Sequence, residues 1–166
     1  MLWKSIPTTK IKTTRSTKVI IRKAIKEDAP KLDEMLTSLI QDERQYDDNI
    51  NERFKVEKMY ENYIEDETRY ILVAENENHI LGYIYGYCEN TPVTKKPTAR
   101  IDALYVREEA RNNGIARKLI SSFINWAKIK NITSIEIGVL NANNKAMLLY
   151  TSLGFNLKKS ILEIEL

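Results

Sequence analysis

The chain has 166 residues, with 43% hydrophobic and 30% charged residues and a formal net charge of +3. That length supports one domain with a sizeable core, and no apolar run approaches the roughly 20 residues of a membrane-spanning helix. A single cysteine, Cys88, excludes an intramolecular disulfide and a cysteine-based metal cluster. A single histidine, His79, sits in a turn and argues against Ser–His or Cys–His catalysis and against a histidine metal site, so no metal is expected.

The charge is unevenly spread. Residues 1–26 hold eight basic and no acidic side chains, residues 27–78 six basic and sixteen acidic, and residues 79–166 twelve basic and seven acidic. Such a split can present an anion site on one part of the chain and a cation site on another, or only two solvated faces. Residues 1–17 read as a basic tail or an extra edge segment. They lack the apolar core of a secretory signal, which points to an intracellular, cytoplasmic protein. They also lack the interleaved aromatics that would support nucleic-acid binding.

In chain order, the β-branched run at 18–24 predicts a strand. A helix follows with Asp28 as N-cap, Pro30 in its first turn and Leu32, Met35, Leu36, Leu39 and Ile40 at helical spacing. The polar stretch "DDNINE" leads to a second helical pattern through Phe54, Val56, Met59, Tyr60, Tyr63 and Ile64. Two strands flank the turn "NEN", and Gly82 and Gly86 in the second mark a bulge or a close backbone approach. A loop with two prolines precedes the strand "ARIDALYV". The next helix runs from Gly114 to about residue 130 and buries Ile115, Leu119, Ile120, Phe123 and Ala127. A strand "SIEIGVL", a helix capped by Asn143 and closed by Gly154, and an alternating strand "SILEIEL" complete the chain. The order describes a single mixed α/β domain over residues 18–166.

The bend "EEARNNGIA" between the fourth strand and its helix carries the first chemical signal. A helix start leaves backbone N–H groups unpaired and adds partial positive charge. Gly114 permits unusual backbone angles and Ala116 keeps the first turn bare, so an anion can approach the amides of Asn113, Gly114, Ile115 and Ala116. Arg111 and Arg117 can add charge-assisted contacts to phosphate oxygens. On these residues alone, an ordinary strand–turn–helix connection remains the alternative.

The pattern V-x-x-x-x-R-x-x-G-x-A at residues 106–116 resembles the acetyl-CoA pyrophosphate loop of the GNAT superfamily of N-acetyltransferases. A second segment, "VLNANNKAMLLYTSLGF", is similar to that family's Asn-x-x-Ala…Tyr…Leu-Gly-Phe region. The departure is Ala116, where the family often has glycine. The resemblance implies a central, mostly antiparallel sheet of six to seven strands, splayed at the cofactor site, with about four helices on both faces. It implies acetyl-CoA as co-substrate, bound by the loop with Arg111, Asn112, Asn113, Gly114, Ile115, Ala116 and Arg117. Leu104, Tyr105 and Val106 would offer backbone groups to the pantetheine arm and thioester. An N–H aimed at that carbonyl is worth about 3–4 kcal/mol in such reactions. Asn143 would contact the cofactor arm.

Tyr150 is then the expected general acid for the leaving thiolate, against a packing role beside Ala146, Met147 and Leu153. Asp102, on the fourth strand, is the expected acceptor of the amine's proton, or else a structural partner for Arg100. Glu43 and Glu136 are further candidates. The stretch "QDERQYDDNINE" clusters Asp42, Glu43, Tyr46, Asp47 and Asp48 into an acidic rim suited to a polyamine, an aminoglycoside-like amine or a basic peptide terminus. The resemblance leaves three functions open: N-acetyltransferase for a small amine, protein N-terminal or lysine acetyltransferase, and non-catalytic acyl-CoA sensor. Homodimers are common in that family.

Overall fold

A computed structural model describes residues 18–89 and 95–164. The basic tail expected over residues 1–17 lies outside them. Five strands form one sheet in the order β1 (Ile20–Lys23), β2 (Arg69–Asn76), β3 (His79–Glu89), β4 (Thr98–Val106) and β5 (Ser134–Ile137). The first three pairings are antiparallel and β4–β5 is parallel. Helices α1 (Ala29–Glu43) and α2 (Met59–Tyr63) pack on one face, and α3 (Ile115–Ile129) on the other, with α4 (Asn144–Ser152) at its margin. The class is the mixed α/β one expected, with five strands among the described residues where six to seven were predicted. Among the described residues no helix is long and apolar enough to cross a membrane.

Period-2 alternation explains how one sheet serves two cores. Ile71 and Val73 of β2 face α1 and α2, whereas Leu72 and Ala74 face α3. On α3 the predicted stripe is buried, and Trp126 joins it, stacked on Tyr70 with ring centroids 4.3 Å apart. Phe123, fully buried, contributes roughly 1.5–3 kcal/mol by leaving water. The β2–β3 turn places Glu77 and Asn78 in the left-handed region, as tight hairpin turns require.

Three expectations need correction. Asp28 precedes α1, but its carboxylate takes the Ile25 amide and the Arg22 guanidinium instead of an α1 amide. The second helix does not start near Phe54. The carboxylate of Asp33 accepts from the amides of Met59 and Tyr60, and left-handed Lys58 stops the helix from extending backward. Phe54 is left 46% exposed. The closing strand is absent over residues 160–164, where Ile161, Leu162 and Ile164 lie exposed and unpaired with the sheet. Alternation supplies a strand pattern, but a strand needs a ladder partner, and among the described residues β5 pairs only with β4.

Both glycines of β3 mark close approaches. A Cβ on Gly82 would stand 2.7 Å from the Tyr105 carbonyl oxygen, and one on Gly86 2.5 Å from both the Arg100 carbonyl oxygen and Phe123. Because the Gly86 obstacles are backbone and a fully buried ring, Gly86→Ala is expected to destabilise the protein by about 1–3 kcal/mol. Urea unfolding measures it; an unchanged midpoint would show that Phe123 gives way freely.

Candidate active site

The site begins where the sheet opens. The β4–β5 pairing covers only Thr98 to Ile101 on β4, opposite Ser134 to Ile137. Beyond it β4 continues to Val106, while β5 ends at Ile137 and the backbone leaves the sheet at Gly138. A cavity of about 360 Å³ lies at this parting, walled by the end of β4, the loop into α3, the end of α1 and the start of α4.

The loop is shaped by its own residues. Arg107 ties the exit of β4 to β3, its amide donating to the Leu81 carbonyl and its Nε to that of Ile80. After a 3-10 turn at Glu108–Ala110, Asn112 and Gly114 both take left-handed backbone angles, with φ of 65° and 72°. Asparagine and glycine are the residues that enter this region at least cost, which explains "NNG" ahead of a helix. Between them, Asn113 turns its side-chain amide inward to the carbonyls of Ala110 and Arg111, bracing the bend. Helix α3 then starts with the amides of Ile115, Ala116 and Arg117 free of helical partners, and a Cβ on Gly114 would meet no atom within 4 Å. The mouth of the loop is therefore an open, positively polarised backbone surface of the kind that takes phosphates.

Leu104, Tyr105 and Val106 line the cavity, with Arg111, Asn112, Gly114, Ile115, Ala116, Arg117, Asn143 and Tyr150. Asn113 and Asp102 do not. Asp102 is the extra residue of a β-bulge, where the β3–β4 register passes from Tyr85↔Ala103 to Gly86↔Ile101. It is exposed, and its charge bears on the hydroxyls of Tyr60, Tyr83 and Tyr85. The alternative raised for it, a pairing with Arg100, does not form; that arginine pairs with Glu89 and Glu136.

Both loop arginines have protein partners. Arg111 donates to the Val106 carbonyl and, at 2.7 Å, to the Asp42 carboxylate of α1, joining two walls of the cavity. Arg117 reaches Ser152 and fastens α3 to α4. Asn143 caps α4 by accepting from the Ala146 amide, as predicted.

Tyr150 projects from α4, half-buried, with its ring 6.0 Å from that of Phe155. Burial pushes its phenol up to about 12, and the negative charge of Glu43 adds to the effect. It thus stays protonated through the neutral and mildly alkaline range. Glu43, from the last turn of α1, lines the same cavity with Leu39, Asp42, Gln45 and Tyr46. Half of the predicted acidic rim is thereby brought to the site, while Asp47 and Asp48 stay outside the lining.

Lys145 is a lining residue that sequence reasoning passed over. A signal existed. A lysine in the first turn of a helix opposes the helix dipole, an arrangement that calls for an anion nearby. Among the described residues no cluster of histidine, cysteine or carboxylate side chains is arranged to hold a metal.

Comparison with known proteins agrees with this geometry. Residues 33–155 match the model of the acetyltransferase (GNAT) family. The chain is 29% identical to human N-acetyltransferase 8B over 83 residues, covering 50% of this chain and 37% of that protein. It is 25% identical to human N-acetyltransferase 8 over 93 residues, covering 56% and 41%. The chain thus spans less than half the length of these relatives. A mutant of the BH1408 protein from Bacillus halodurans superposes with a TM-score of 0.81 at 26% identity, covering 89% of this chain and 99% of that one. An aminoglycoside acetyltransferase from an uncultured soil metagenomic sample shares the fold, with a TM-score of 0.71 at 19% identity, covering 89% and 95%.

Proposed function

The chain belongs to the GNAT family of acetyltransferases, and from that premise we propose that it transfers the acetyl group of acetyl-CoA directly to a primary amine, the acceptor being small and cationic. The observation that carries this reading is the composition of one cavity. Its lining combines open amides at a helix start, the parted edge of β4, Tyr150 of α4, and Asp42, Glu43 and Tyr46 from the end of α1 and the turn after it.

The residues fit the co-substrate. The amides of Ile115 and Ala116, with Gly114 leaving room, hold the pyrophosphate, and Lys145 and Arg117 add positive charge. Backbone groups of residues 104–106 hold the pantetheine arm. Bound acetyl-CoA supplies the acetyl group as an activated thioester. Tyr150 donates the proton that the departing sulfur needs, a task suited to a phenol that remains protonated at working pH. The acidic rim draws the acceptor in as its ammonium form.

Two measurements test the reading. Calorimetric titration with acetyl-CoA is expected to give saturable binding, and a panel of polyamines, aminoglycosides and peptides is expected to release thiol with the small cationic amines. No binding even at high acetyl-CoA concentration would overturn it. Turnover on peptides alone would make the protein a protein acetyltransferase, and tight binding without turnover on any amine would make it a sensor.

A further inference from the structure

We infer that Glu43 takes the proton from the incoming amine, an assignment that rests on the acetyltransferase reading of the same cavity. Glu43 is the last residue of α1 and lines the cavity that Tyr150 lines from α4. Its side chain is half-buried and makes no ion pair or hydrogen bond with any described residue. Asp42, the other carboxylate that lines the cavity, is committed to Arg111. Glu136, the other glutamate weighed for this task, is paired with Lys158 and Arg100 and does not line the cavity. Asp102 is also unpaired, but it stands exposed on its bulge, outside the cavity lining, and acts on a different set of tyrosines.

The titratable and charged groups that share the cavity with Glu43, or act on its carboxyl, come from every wall. Asp42 precedes it on α1, Tyr46 and Asp47 follow in the next turn, Arg111 comes from the loop, Tyr105 from β4, and Lys145 and Tyr150 from α4. Arg111 is neutralised by Asp42. Burial, and then the charge of Asp47, lift the Glu43 carboxyl above the ordinary glutamate range. Its charge in turn helps lift the Tyr150 phenol. One cavity thereby holds a carboxylate made more basic and a phenol kept protonated, the division of labour that acid–base catalysis requires.

The proton accounting closes with these two groups. Glu43 takes one proton from the ammonium and frees the nitrogen lone pair. The nitrogen bonds to the acetyl carbonyl carbon as the carbon–sulfur bond breaks. The departing sulfur takes the Tyr150 proton, and the second proton lost by the nitrogen restores the phenol. Glu43 releases its proton to solvent, so each turnover yields amide, thiol and one proton, with no oxidant or reductant.

The test compares wild type, Glu43→Gln and Asp102→Asn with the best amine of the panel, from mildly acidic to mildly alkaline pH. In the wild type kcat/KM rises with pH as Glu43 loses its proton. Glu43→Gln is expected to lose about 100-fold at neutral pH, to recover toward alkaline pH where the free amine predominates, and to bind acetyl-CoA as wild type does. Asp102→Asn is expected to keep the wild-type profile. As a readout independent of turnover, carbon-13 NMR of glutamate-labelled protein should show one carboxyl that titrates above the rest. That signal should be absent in Glu43→Gln and shift to lower pH in Asp47→Asn. A Glu43→Gln variant that keeps the wild-type kcat/KM at neutral pH, or a Glu43 carboxyl that titrates with the exposed glutamates, overturns the assignment while leaving the acetyltransferase reading intact. A wild type that binds no acetyl-CoA or acetylates no amine fells both.

Discussion

Tyr150→Phe is expected to lower kcat by about 100- to 1000-fold, the range of a lost general acid, while leaving acetyl-CoA affinity nearly unchanged. The two effects separate because of where the hydroxyl stands. The ring packs against Phe155 and joins the core shared by α3 and the sheet, and phenylalanine preserves that packing. The hydroxyl makes no hydrogen bond to a described residue, so its loss leaves no buried partner stranded. Stability should therefore change little, and the defect should appear in turnover. Steady-state thiol release with a calorimetric Kd on the same preparation measures both. If kcat survives, Tyr150 only packs and the sulfur is protonated by another group or by water. If affinity falls as far as kcat, the residue binds the co-substrate and its assignment as the acid is wrong.

The second large effect is expected at Gly114. A glutamate there places a negative charge in the mouth of the loop, beside the first-turn amides of α3 that lack helical partners. Gly114→Glu should weaken acetyl-CoA binding by at least about 100-fold, since desolvated like charges cost several kcal/mol. Part of any effect comes from the backbone, because φ is 72° and a side chain there costs roughly 1–2 kcal/mol. Clash is not a cause, as nothing lies within 4 Å of the added Cβ. Gly114→Gln has the same size and the same strain without the charge, so the difference between the two variants isolates the electrostatic part. That difference should shrink as salt is added. Equal losses in both would assign the effect to loop geometry, and wild-type affinity in both would remove the phosphate site from this loop.

Much of this protein could be read from local signals. The β2–β3 hairpin, the α3 stripe, the Asn143 cap and the left-handed Gly154 are each specified within a few residues, because turns and caps depend on backbone angles and near neighbours. The "RNNGIA" bend belongs with them: Asn112 and Gly114 have the left-handed angles that their residue types tolerate. A motif that is also a local conformation is legible without the fold.

Contacts across the chain decided the rest. The stripe from Phe54 to Ile64 looked like one long helix, yet Asp33, 27 residues before Tyr60, fixes the helix start by taking the amides of Met59 and Tyr60. The alternation at the chain's end reads as a strand, but alternation carries no information about whether a ladder partner is present. Arg111 looked free for phosphate, and only tertiary packing brings it to Asp42, 69 residues away. Glu43 and Tyr150 have no sequence relation at all; the parting of β4 from β5 and the approach of α1 bring them to one cavity. Sequence by itself determined the order of elements from β1 to α4, the loop and the residue types available for chemistry, since those follow from backbone preference and periodicity. Tertiary structure decided which carboxylate faces the phenol, because burial and through-space charge depend on where distant segments meet.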